Sequence, residues 1–149
     1  MTSRTGRLLG IDVGDRRVGV AVSDAGQTVA SPVAVVMRGS QELEELAELA
    51  HQYEATQLVV GLPTGMSGKE GPQAAGVRQF AETAGEALEL PVSYWDERLT
   101  TVQAERSLID SGRRRQKRKE LVDAVAASLM LQGFLDARAQ RRARGRPVA

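Results

Sequence analysis

Leu8-Leu-Gly-Ile-Asp-Val-Gly-Asp-Arg-Arg-Val-Gly-Val-Ala-Val-Ser-Asp24 reads as two β-strands joined by a tight turn. In the first strand, Leu8 to Val13, the side chains of Leu9, Ile11 and Val13 alternate onto one face. Gly14 and Asp15 supply the turn, and Val18 to Ser23 is rich in the β-branched residues that suit a second strand. Asp24 to Gln27, with Gly26 inside it, predicts a hairpin turn. Thr28 to Met37 then predicts a third strand, in which Pro32 is tolerated best near a sheet edge.

Further along, the period changes from two to about 3.6. Ser40 is the expected N-cap of a helix carrying Leu43, Leu46, Ala47 and Ala50 at helical spacing. A buried strand is expected over Gln57 to Gly61, a Gly-rich loop over Leu62 to Gly71, a helix over about Pro72 to Leu88, and a strand over Val92 to Asp96. Thr100 and Gln103 have capping-box spacing, which predicts a helix over Thr101 to Ile109. A basic loop, Gly112 to Lys119, precedes a last helix to about Ala139. The resulting order βββαβαβαα implies an α/β fold with a five-stranded mixed sheet: three antiparallel N-terminal strands and two further parallel ones, flanked by helices. One domain over residues 1–139 and a basic disordered tail over 140–149 are expected.

The chain has 149 residues, 42% of them apolar and 26% charged, as in an ordinary globular protein. It has no Cys, which excludes disulfides, thiolate metal sites and Cys nucleophiles and fits a reducing compartment. The N-terminal apolar stretch contains Asp12 and Asp15, unlike a signal peptide, and no apolar run reaches membrane-spanning length; a cytoplasmic protein is expected. The net charge of +1 hides an asymmetry: residues 1–112 carry 9 basic against 16 acidic side chains, and residues 113–149 carry 11 against 3. An acidic body with a basic arm points to a phosphate backbone as partner.

Three acids stand out against this background. Asp12 lies within an apolar strand, opposite the Leu9–Ile11–Val13 face, where an ionised carboxylate needs compensation. Of the two acids ending the Val92 strand, alternation puts Glu97 with Ser93 and Trp95 and Asp96 on the other face, which favours Glu97 as the inward one. Asp123 begins a helix whose Ala124, Ala126, Ala127 and Ser128 are small enough for close approach to a sheet. Oxygen-only ligands select hard cations such as Mg²⁺ or Mn²⁺. Two such ions about 4 Å apart stabilise the attacking and leaving oxygens of a phosphoryl displacement. The single histidine, His51, reads as surface.

The motif Leu9 to Asp24 resembles the opening motif of the YqgF family, also called RuvX. Val60-Gly-Leu-Pro63 with Gly68 to Gly71, Asp96-Glu-Arg-Leu-Thr-Thr101 and Val122-Asp-Ala-Val-Ala-Ala127 match its later motifs in order, so that the resemblance covers about residues 8–138. Asp15 departs from it, since Thr or Ser is common there. The resemblance implies an RNase H-like fold, with Asp12, Glu97 and Asp123 as the catalytic, metal-binding carboxylates. It also implies a nuclease that matures the 5′ end of pre-16S rRNA in ribosome biogenesis, or, by an older assignment, one that resolves Holliday junctions as the RuvC resolvases do.

Candidate phosphate contacts are Arg17 of the first motif, Lys69 in the Gly-rich loop before a helix N-terminus, Arg98, and the run Arg113, Arg114, Arg115, Lys117, Arg118 and Lys119. The Gly-rich loop is not a Walker loop: Pro63 stands where a Gly is needed and Glu70 follows Lys69. With only 2 Phe, 2 Tyr and 1 Trp for base stacking, recognition of structured RNA or branched DNA by backbone and shape is expected. Two other classes compete. Gly10-Ile-Asp-Val-Gly14 also resembles the phosphate loop of actin/Hsp70-class ATPases, which need two such domains. A non-catalytic nucleic-acid-binding factor would keep the fold without needing the acids. A monomer suffices for trimming an RNA end, whereas a homodimer suits paired cuts.

Overall fold

A computed structural model describes residues 6–63, 70–99 and 115–145, with side chains described from Val122 to Ala143 in the last segment. Five strands, β1 (Arg7–Val13), β2 (Arg17–Ser23), β3 (Ala30–Met37), β4 (Ala55–Leu62) and β5 (Val92–Asp96), form one sheet in the order β3-β2-β1-β4-β5. β1 and β3 each pair antiparallel with β2, whereas β1–β4 and β4–β5 are parallel. This is the mixed sheet expected from the sequence. β3 is an edge strand, which accommodates Pro32, and its register with β2 shifts at Val20/Ala21 beside that proline.

Helices α1 (Glu42–Gln52) and α2 (Pro72–Leu88) cover one face. The other carries α3 (Arg115–Gly145), whose small residues lie against the strands. Alternation divides the core accordingly. Leu9, Ile11, Val18, Val20, Leu58 and Val60 pack with Leu46, Val77 and Ala81 on the α1–α2 side. Leu8, Ala21 and Val59 pack with Ala127, Met130, Leu131 and Leu135 on the α3 side.

Several local expectations are corrected. Ser40 does not cap α1: the position before the helix is Gln41, with no side-chain cap bond. Arg38 Nε donates to the Glu42 carboxylate at 3.2 Å there. The β2–β3 turn is longer than Asp24 to Gln27, and β3 begins at Ala30 rather than Thr28. The Asp24 carboxylate accepts the Thr28 and Val29 N–H groups at 2.7 and 3.0 Å and so organises the turn. Arg115, Lys117, Arg118 and Lys119 belong to α3 instead of a loop, and the helix runs on through residues 140–145, where a tail without structure was expected. Arg, Lys, Gln and Ala are strong helix formers, and that propensity prevails over the charge density. The helix expected over 101–109 lies outside the described residues. Among the described residues, no helix is long and apolar enough to cross a membrane.

Candidate active site

The α3 face of the central strands is floored by glycine. Asp12 on β1 is paired across the antiparallel ladder with Gly19 on β2, and directly opposed residues share a face. A Cβ on Gly19 would collide with the backbone carbonyl of Asp123, so α3 rests on β2 at that point and Asp12 points to the α3 side. On its other flank, β1 pairs with β4 at Ile11 and Val60; one residue further along both strands sets Asp12 beside Gly61. A Cβ on Gly61 would lie 2.7 Å from Glu97 Oε1 and 3.1 Å from Met130 Cγ. Two glycines therefore flank Asp12, one beneath the Asp123 backbone and the other beneath the Glu97 carboxylate. Glycine inside a strand marks such a close approach, and that was the sequence signal for Gly19 and Gly61, which the motif reading left without a role.

Glu97 opens a short 3₁₀ turn, Glu97–Leu99, directly after β5. Trp95, two residues earlier, sets the direction: its ring meets Phe134 of α3 edge-to-face at 6.3 Å. Asp96 is engaged elsewhere, accepting from Arg98 Nε at 3.0 Å and from Nη2 at 2.6 Å. That pairing pushes the Arg98 guanidinium further above its ordinary range. Arg98, a candidate phosphate contact by its sequence position, is thus an exposed residue paired with Asp96.

Asp123, half-buried on α3, accepts from Arg17 Nε of β2 at 2.6 Å across 106 residues of chain. Arg17, a candidate phosphate contact by its sequence position, therefore balances Asp123 in the structure. Lys69, Arg113 and Arg114 lie outside the described residues; Arg115, Lys117, Arg118 and Lys119 form the start of α3, upstream of Asp123 on the same helix.

Asp12, Glu97 and Asp123 offer only oxygen donors, a chemistry suited to a hard divalent cation. Among the described residues, no group of three or more His, Cys, Asp or Glu side chains is assembled to hold a metal ion. The arrangement instead pairs Asp123 with a guanidinium, so the donors fit such an ion in kind, and Arg17 holds one of them in its place.

A family model described as "RuvX: Holliday junction resolvase" matches residues 6–137. A protein of Heliobacterium modesticaldum named "Putative pre-16S rRNA nuclease" is 47% identical over 135 residues, covering 89% of this chain and 91% of that one. One of the same name from Desulfitobacterium hafniense is 45% identical, covering 87% and 92%. Among solved structures, the Thermus thermophilus RuvC in complex with a Holliday junction substrate matches with a TM-score of 0.56 at 16% identity, covering 91% of this chain and 96% of that one. A second Thermus thermophilus RuvC structure matches at 0.51 and 18% identity, covering 90% and 96%. These structural matches show the fold, which is RNase H-like.

Proposed function

The chain belongs to the RuvX family, and from that premise we propose that it is a metal-dependent nuclease acting on structured nucleic acid. The reading extends to pre-16S rRNA, the substrate in its relatives' names, and to maturation of its 5′ end. The observation that supports it best is the glycine floor: Gly19 and Gly61 let Asp12, Glu97 and the Asp123 segment approach one another on one side of the sheet.

Asp12, Glu97 and Asp123 are the residues that would hold Mg²⁺ or Mn²⁺. When bound, two such ions supply Lewis acidity and charge neutralisation at the scissile phosphate. The chain's own groups do the rest. The glycine floor brings a phosphodiester close to Asp12, and the buried Met130 packs against Gly61 beside the Glu97 carboxylate. Arg17 holds the Asp123 carboxylate through its Nε at 2.6 Å, in the place a cation would take. The basic start of α3, from Arg115 to Lys119, lies on the helix that carries Asp123 and offers charge to flanking phosphates.

Branched DNA is a second substrate reading, favoured by the family's description as a Holliday junction resolvase. Cleavage of a pre-rRNA leader and of a four-way DNA junction, compared at equal salt and metal, separates the two. The proposal expects cutting that needs Mg²⁺ or Mn²⁺, stops in EDTA and is faster on the RNA. Faster junction cleavage would move the substrate to DNA. Binding to both without cleavage under any metal would leave a non-catalytic factor and overturn the enzyme reading.

A further inference from the structure

At the far end of α3 from Asp123, the helix and the β2–β3 turn enclose a cavity of about 260 Å³. Arg138 and Arg142, one helical turn apart, line it together with Gln27 and Thr28, over an apolar floor of Leu135 and Ala139. No acid lines it. The only carboxylate of the turn, Asp24, is engaged by the Val29 N–H, the Thr28 hydroxyl and the Thr28 N–H, which hold its pKa down to about 2.

Two guanidinium groups at i, i+4 with no acid between them repel each other. Burial, and then the charge of Arg142, push the Arg138 guanidinium below the usual arginine range. Among the described residues, Arg138 Nη1 is buried with no hydrogen-bond partner, and so is Oε1 of Gln27, a residue only 9% exposed whose Nε2 donates to the Gly6 carbonyl at 2.9 Å. The Phe134 ring, 5.4 Å from Arg138 Cζ, steadies the guanidinium from the other side. A fixed, desolvated cation beside a second one has the makings of an anion site, and the guanidinium fork matches phosphate oxygens.

We propose that Arg138 and Arg142 form a phosphate subsite that clamps the backbone of the nucleic acid cut at the Asp12 end of α3. The proposal deepens the nuclease reading and rests on it for the identity of the ligand. It also sets a length. Asp123 and Arg138 are fifteen residues apart on one helix, about 22 Å at about 1.5 Å per residue. A B-form DNA duplex rising about 3.4 Å per step needs roughly six or seven steps to reach both, and an A-form RNA duplex, with its shorter rise per step, needs slightly more.

The test is equilibrium binding of end-labelled RNA hairpins to the full chain in EDTA, where nothing is cut, over a range of salt. Hairpins with duplex arms of about ten and about four base pairs are compared, the shorter falling below the span derived above. Arg138→Gln and Arg142→Gln are each expected to weaken binding of the long arm about three- to tenfold and to reduce the salt slope by about one. The short arm is expected to bind both variants as it binds the parent. Arg142 is exposed, so Arg142→Gln and Arg142→Glu keep the test decisive should Arg138→Gln unfold. Parent-like affinity and slope in the Arg142 variants would overturn the subsite, as would equal losses on both arms. A parent chain that shows the predicted binding yet cuts nothing with metal overturns the nuclease reading and supports the subsite.

Discussion

On the α1–α2 side of the sheet, Leu9, Ile11, Val20, Leu58 and Val60 fill the space under two helices with branched side chains. On the α3 side the same strands present Gly10, Asp12, Gly19 and Gly61, and the helix comes down onto bare backbone. One face stabilises the fold by burying apolar area. The other gives up side-chain volume, so that the Asp123 backbone of α3 comes down over Gly19 and the Glu97 carboxylate over Gly61, on either side of Asp12. The two faces should therefore fail differently, the first in stability and the second in chemistry.

The largest stability loss is expected on the apolar face. Leu58→Ala should cost about 2–5 kcal/mol by leaving a cavity, read from denaturant unfolding, while cleavage per folded molecule stays at the parent value. A comparable loss of activity there would break the distinction between the faces. Gly19→Ala tests the other side: overpacking against the Asp123 carbonyl should cost about 1–3 kcal/mol and, unlike Leu58→Ala, also lower cleavage per folded molecule. Unfolding and single-turnover cleavage of the same samples distinguish the two patterns.

Smaller effects sharpen the comparison. Arg17 and Asp123 are each about a quarter exposed (28% and 25%), so Arg17→Met should change metal-free stability by less than about 1 kcal/mol. Removing the competing cation should lower the metal concentration that gives half-maximal cleavage; an unchanged metal titration would contradict the role given to this pair. The smallest effect belongs to the β2–β3 turn, outside both faces. The folded pKa of Asp24, about 2, lies below an unfolded value of about 3.9. Its contribution is complete above about pH 4 and is lost as pH falls through 2. Asp24→Asn should remove that acid limb from the stability profile, measured by thermal unfolding between pH 2 and 5.

Much of this was legible in the sequence, for local reasons. Pro72 at a helix start and the alternation from Val92 to Asp96 mark α2 and β5 at the bounds the structure gives them. Charge density, by contrast, made Arg115 to Lys119 read as a loop and residues 140–145 as a tail, although both stretches have the propensity to extend α3. Ser40 carried a capping residue's chemistry one position too early for a helix whose start carries the Arg38–Glu42 pair. The three acids could be picked out one by one, but the Arg17–Asp123 pair spans 106 residues, and no pattern of local period reports such a contact. The strand glycines did carry a signal: each interrupts a β-branched run at the place where another part of the chain comes close.

Asp12→Asn carries the central claim most directly, because Asp12 stands between the two glycines and its replacement is nearly isosteric. Single-turnover cleavage of a structured pre-rRNA leader in saturating Mg²⁺, with thermal unfolding of the same sample, should show at least about a hundredfold loss of rate at an unfolding temperature equal to or above that of the parent. Cleavage at the parental rate by a folded Asp12→Asn chain would contradict the account.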